Sequence, residues 1–161
     1  MSGVSVSELS QHAFASGLTA GQLERLAALA VSTDIPAGCR LFDEGGPAAR
    51  LWLVRTGRIA LDLEVPGRER IIVETLGPGD ELGLSWLTPA AQWQFGAIAQ
   101  LPVSAFELSS GALIDLCEAD HELGYQLTRR LLDTAITRLQ AARIRILDLY
   151  AAPAPAAGAT P

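Results

Sequence analysis

The chain contains no lysine: all 12 of its basic residues are arginines, set against 18 Asp and Glu for a formal charge of −6. An acidic chain repels a phosphate backbone unless its arginines gather locally, so DNA binding is not expected. Cysteine and histidine are nearly as scarce, with two of each in 161 residues. Cys39 and Cys117 lie far apart and are expected to stay reduced. His12 and His121 sit near opposite ends, so no His-x-His or His/Cys spacing can build a zinc or iron centre, and no metal site is expected. Although the mean hydropathy is +0.26, no uncharged apolar run approaches the ~18 residues that span a bilayer. Met1 to Gln11 is Ser-rich and has neither a basic start nor an apolar stretch, so it does not read as a secretory signal. The expected location is the cytoplasm, away from membranes. Catalytic motifs are missing as well. There is no Gly-x-Ser-x-Gly elbow, and Gly77-Pro78-Gly79-Asp80 lacks the Gly-Lys-Ser/Thr of a Walker loop. Neither an enzyme nor a bound cofactor is expected.

What is present reads as one domain with a change of period in its middle. Thr19 and Gln22 form a capping box, with Leu18 placed to staple onto Leu23. Leu23, Leu26, Ala27 and Ala30 then recur at helical spacing. From Thr33 to Leu108 the period falls to two, with candidate strands at 33–35, 40–42, 51–56, 58–65, 70–76, 94–99 and 103–108. Gly and Pro turns separate them, among them Gly57, Pro66-Gly67, Pro78-Gly79 and Pro102. Many short strands at this spacing predict a β-barrel or jelly roll. Val65-Pro66-Gly67-Arg68 is placed as the type II turn of a hairpin, and Asp62 and Glu64 fall on one strand face, read as its solvent side.

Helical spacing returns after Ser109. Ser110 is placed to cap a short helix through Cys117, and Asp120 a long one through about Tyr150. In the long helix Leu132, Ala135, Leu139, Ala142, Ile146 and Leu149 step by three and four residues in turn, a heptad seam that predicts a homodimer through the C-terminal helix. The alternative is one wide core-facing stripe. A second stripe, Ile136, Ile144 and Leu147, is expected to pack on the chain's own strands. Arg129, Arg130, Arg138 and Arg145 read as a solvated face paired with Asp133 and Asp148, Arg143 being the exception. Residues 1–13 are expected to form a flexible N-terminus, 14–150 the domain, and 151–161 a disordered Ala/Pro tail.

Three segments carry a family resemblance. Ile35-Pro36-Ala37-Gly38-Cys39-Arg40-Leu41-Phe42-Asp43-Glu44-Gly45, Leu51-Trp52-Leu53-Val54-Arg55-Thr56-Gly57-Arg58-Ile59 and Leu76-Gly77-Pro78-Gly79-Asp80-Glu81-Leu82-Gly83 resemble, in this order, signature stretches of the cyclic-nucleotide-binding domain found in Crp/Fnr regulators. The resemblance runs from about Phe14 to Tyr150. It implies an α+β, mainly β fold: a jelly roll flanked by an N-terminal helix and a long C-terminal helix. It also implies a pocket in which backbone N–H groups, a glutamate and an arginine hold the cyclic phosphate and ribose.

The chain departs from that pattern where the charges belong. Leu84 stands at the glutamate position, and Ala90-Ala91-Gln92-Trp93-Gln94-Phe95 contains no arginine. Trp86 and Trp93 come to the pocket region, where they either fill it, the simpler expectation, or stack on a planar ligand. Arg143 is expected to point into the pocket and replace part of the missing charge. The candidate ligand-binding residues are Leu82, Gly83, Leu84, Ser85, Gln92, Trp93 and Arg143. The implied function is a non-catalytic regulatory or adaptor module, degenerate for cAMP, with a protein partner as a further candidate. The alternative is a small-molecule sensor of altered specificity that binds a nucleotide or other planar anion. Crp/Fnr activators read DNA through a further helix-turn-helix domain of about 70 residues, for which the Pro/Ala tail is no substitute.

Overall fold

The computed structural model describes residues 2–151. A two-residue strand β1 (Ser2–Gly3) precedes helix α1 (Val6–Ser10). Ser5 and Glu8 form a reciprocal capping box there, the Ser5 N–H donating to Glu8 Oε2 at 3.0 Å and the Glu8 N–H to Ser5 Oγ at 3.2 Å. Leu9, Phe14 and His12 are buried. Within the stretch expected to be flexible, Val6–Ser10 thus form a capped helix with Leu9 buried, which the Ser-rich composition did not signal. Helix α2 (Ala20–Leu29) begins at the Thr19/Gln22 capping box as read from the sequence.

Strands β2 (Val31–Ile35), β3 (Arg40–Phe42), β4 (Arg50–Leu63), β5 (Ile71–Leu76), β6 (Glu81–Leu82) and β7 (Gly96–Ser109) follow. They form an antiparallel sheet in the order β1-β2-β7-β4-β5, with β3 also on β7 and β6 also on β4. The sequence predicts breaks at Gly57 and Pro102, but β4 and β7 each run unbroken for 14 residues. Gly57, at φ +93°, lies so close to β7 that a Cβ would stand 2.2 Å from the Pro102 carbonyl oxygen. The pairing absorbs both residues as register shifts around Thr56 and Arg58, so the strands bend there instead of ending. The turn after β4 forms as expected, with the Arg68 N–H donating to the Val65 carbonyl at 3.0 Å.

The sheet divides two cores. Leu51 and Leu53 of β4 and Phe106 and Leu108 of β7 join Leu9, Phe14 and Leu26 in a helical core, while Trp52, Val54, Val103 and Ala105 from the same strands enter a sheet core with Ile59, Leu61, Leu82 and Trp93. Asp62 corrects a second expectation, for it is 3% exposed and not solvent-facing. Leu61 takes the core-facing position, and Asp62 on the opposite face of β4 is covered by two arginines, Arg40 donating to its carboxylate at 2.6 and 3.2 Å and Arg70 at 3.3 Å. Those guanidinium hydrogen bonds, Arg40's first, hold its pKa below the usual carboxylate range.

Helix α3 (Ser110–Ala119) starts one residue earlier than expected, because Ser109 takes the cap position while the buried Ser110 donates its hydroxyl to the Ala48 carbonyl. Helix α4 (His121–Ala151) follows, with Asp120 Oδ1 accepting from the Leu123 N–H at 3.0 Å, as its capping role predicts. The root of α4 is buried through Leu123, Leu127 and Leu131. Beyond Leu131 its apolar residues are open to solvent. Ile136, Ile144 and Leu147, expected to pack on the strands, are 45–66% exposed. The arginines of α4 do not pair with Asp133 and Asp148. Arg130 donates to the Phe14 and Ser16 carbonyls, Arg138 to the Glu81 carbonyl and Arg145 to the Val73 carbonyl, all of them ties to other elements. The expected tail, apart from Ala151 in α4, lies outside the described residues.

Candidate functional site

A cavity of about 320 Å³ lies between the sheet core, the turn after β6 and α4. The β4–β6 pairing, Trp52 opposite Leu82, sets Leu82 on its wall. Gly83 comes next, at φ +104°, where a Cβ would sit 2.5 Å from the Arg50 carbonyl oxygen and 3.2 Å from the Trp93 ring. Only glycine lets the chain turn here, and the turn delivers Leu84 and Ser85 to the cavity edge. A single 3₁₀ turn, Ser85–Leu87, follows. Trp93 forms a buried wall, stacked on Phe42 with ring centroids 3.9 Å apart, and Phe42 stacks in turn on Trp52 at 5.7 Å.

Of the seven candidate ligand residues, Leu82, Gly83, Leu84, Ser85 and Trp93 line this cavity. Gln92 and Arg143 do not. Gln92 bridges to Pro47 and is exposed, since neighbouring extended residues point opposite ways and Trp93 takes the inward position. Arg143 is exposed because α4 turns Arg138, Ala142 and Arg145 toward the cavity, and Arg143 lies about 100° around the helix from Ala142. The tryptophans do not fill the space: Trp86 packs where the two cores meet, Trp93 forms wall, and the cavity remains.

The positive charges at the cavity come from its helix side. Arg138 Nε is 3.5 Å from Glu74 Oε1 on β5, and Arg145 Nη1 donates to the Val73 carbonyl at 2.5 Å. Thr134 adds a hydrogen bond of 3.0 Å to the buried Glu81. These contacts lay α4 across the cavity like a bar tied at three points. The rest of the lining is Leu61, Val73, Gln94, Phe95, Leu139 and Ala142, so the face nearest β6 carries no charge. Phe42, Phe95, Glu74, Arg138 and Arg145 were absent from the sequence-based set. The 138, 142, 145 spacing on an already assigned helix was the available signal for the arginines. Among the described residues, no His, Cys, Asp and Glu group is arranged to hold a metal ion, and no helix is long and apolar enough to cross a membrane.

The cavity is thus walled by β4, β6 and the glycine turn and barred by the last helix. The family model described as the cyclic nucleotide-binding domain matches residues 33–120. The chain belongs to the cyclic nucleotide-binding domain family. Among solved structures, this cyclic nucleotide-binding domain is similar to a putative cyclic nucleotide-binding protein from Geobacter metallireducens, with 25% identity over 84% of this chain and 98% of the other at a TM-score of 0.76. It is also similar in fold to a cyclic nucleotide-binding domain from Methylobacillus flagellatus, at 24% identity, 83% and 75% coverage and a TM-score of 0.75. The sensor domain of the transcriptional regulator DNR from Pseudomonas aeruginosa shares the fold at 20% identity, 82% and 89% coverage and a TM-score of 0.67. A comparison with curated protein sequences gives no match.

Proposed function

We propose that this cyclic nucleotide-binding domain is a non-catalytic regulatory or adaptor module that does not take cyclic nucleotides in the family's usual way. The carrying observation is the uncharged cavity face formed by Leu82, Gly83 and Leu84, with Trp93 beside it and no arginine between Ala90 and Phe95. Losing the charged partners of a bound phosphate costs several kcal/mol, and about 4 kcal/mol separates micromolar from millimolar binding. Calorimetric titration with cAMP and cGMP tests the reading. Binding weaker than about 100 μM is expected, and a dissociation constant below about 10 μM overturns it.

The output we propose is pairing of two copies through α4. Leu132, Ala135, Leu139, Ala142, Ile146 and Leu149 are all exposed and share one seam. Leu139 and Ala142 also line the cavity. A molecule in the cavity and a second copy on the seam would press on the same two side chains, so occupancy and pairing are linked. The persistence of the cavity favours a second reading, a sensor of altered specificity. Copurification of a small molecule, read by native mass spectrometry, supports that reading, and an empty protein counts against it.

A further inference from the structure

We propose that the cavity beneath α4 takes a small aromatic monocarboxylate, ring inward and carboxylate at Arg145, with its charged end toward the helix and not toward the turn after β6. This rests on the reading that cyclic nucleotides are not the ligand. The charge balance of the lining is the first support. Three ionisable side chains face the cavity: Glu74, Arg138 and Arg145. Glu74 offsets Arg138 at 3.5 Å. Arg145 has only the Val73 carbonyl and, among the described residues, no carboxylate at ion-pair distance. One guanidinium with unused donors at the edge of a cavity matches one anionic group, and a carboxylate fits its fork.

The opposite wall sets the other end of the ligand. Phe42, Leu61, Leu82, Leu84 and Trp93 make this wall apolar, with only the Trp93 indole N–H and the Ser85 hydroxyl at its edge as side-chain hydrogen-bonding groups, so several sugar hydroxyls or a phosphate placed there would lose more hydration than these groups replace. Phe95 is 37% exposed on the lining, an aromatic face already open to a stacking partner. The volume, at the small end of the roughly 300–1,000 Å³ of ligand cavities, suits one or two fused rings.

The probe is 2-naphthoate, compared with its neutral analogue 2-naphthalenemethanol, with octanoate and with cAMP, by calorimetry and tryptophan fluorescence on the full chain. Saturable binding of 2-naphthoate is expected, with octanoate and the neutral analogue weaker by about ten-fold or more. Arg145→Gln should weaken 2-naphthoate by about ten-fold and leave the neutral analogue within two-fold, while Arg145→Lys keeps part of the affinity. Arg145 is exposed, so both variants should fold, with circular dichroism as the check. Absence of saturation up to about 1 mM, or indifference to Arg145→Gln, overturns the proposal. Equal binding of the neutral analogue overturns the role of charge, and equal binding of octanoate the role of the ring. Tight cAMP binding overturns instead the functional reading beneath it, whereas failure of naphthoate and cAMP together leaves that reading standing.

Discussion

The two halves of α4 carry the same kind of side chain at the same helical spacing and end in opposite surroundings. Leu123, Leu127 and Leu131 are at most 2% exposed, while Leu132, Leu139, Ile146 and Leu149 are 49–78% exposed. The root lies against α3 and the helical core; the outer half meets the sheet mainly through Thr134, Arg138 and Arg145, polar ties at the edge of a cavity. Apolar spacing fixes which side of a helix is greasy. What covers that side depends on elements the helix itself does not encode.

Breaking the root should have the largest effect. Leu127→Ala removes a core side chain and is expected to cost about 2–5 kcal/mol in chemical denaturation. Asp62→Asn is expected to cost about 1–3 kcal/mol, because Arg40 and Arg70 lose their shared charge partner yet retain some access to water. An unchanged midpoint would show that this cluster is mere decoration. His12 supplies a pH test of the packing at the root. Its Nε2 lies 3.2 Å from the Val54 carbonyl and its Nδ1 accepts from the Phe14 N–H, so burial holds its pKa below the usual histidine value. The unfolded chain binds the proton more readily, so stability should be full above about pH 6.5 and fall as the pH drops toward the folded-state value. Urea midpoints measured between about pH 7.5 and 5 should show that slope, and His12→Gln should flatten it. The smallest change in stability is expected in the outer half. Ile146→Glu should shift the midpoint of dilute protein by less than about 0.5 kcal/mol, but light scattering at high concentration should show the mass fall from two copies to one. A wild-type monomer at every concentration would remove the proposed seam.

The sequence made the helix starts legible because capping boxes are local: Thr19 with Gln22, and Asp120 before α4, are each settled within four residues. The family fold was legible because glycine and proline at fixed positions mark its turns. Leu9 and Asp62 were not legible, since burying them depends on partners distant in sequence, Arg40 for Asp62 and α2 with the strands for Leu9. At the site, the glycine turn delivered Leu82 to Ser85 as read, yet the choice between Arg143 and Arg145 hinges on how α4 is rotated on the sheet. That rotation is fixed by Glu74, Val73 and Glu81, three positions with no motif of their own.

The alternation along β4 and β7 has a thermodynamic corollary. Leu51 and Leu53 belong to one core, Trp52 and Val54 to the other, with no second layer between them. A shared wall one strand thick makes repacking on its two sides non-additive: a substitution at Trp52 and one at Leu53 relax through the same backbone. Selection on the contents of the pocket is therefore also selection on the foundation of α4, and the two cannot drift independently.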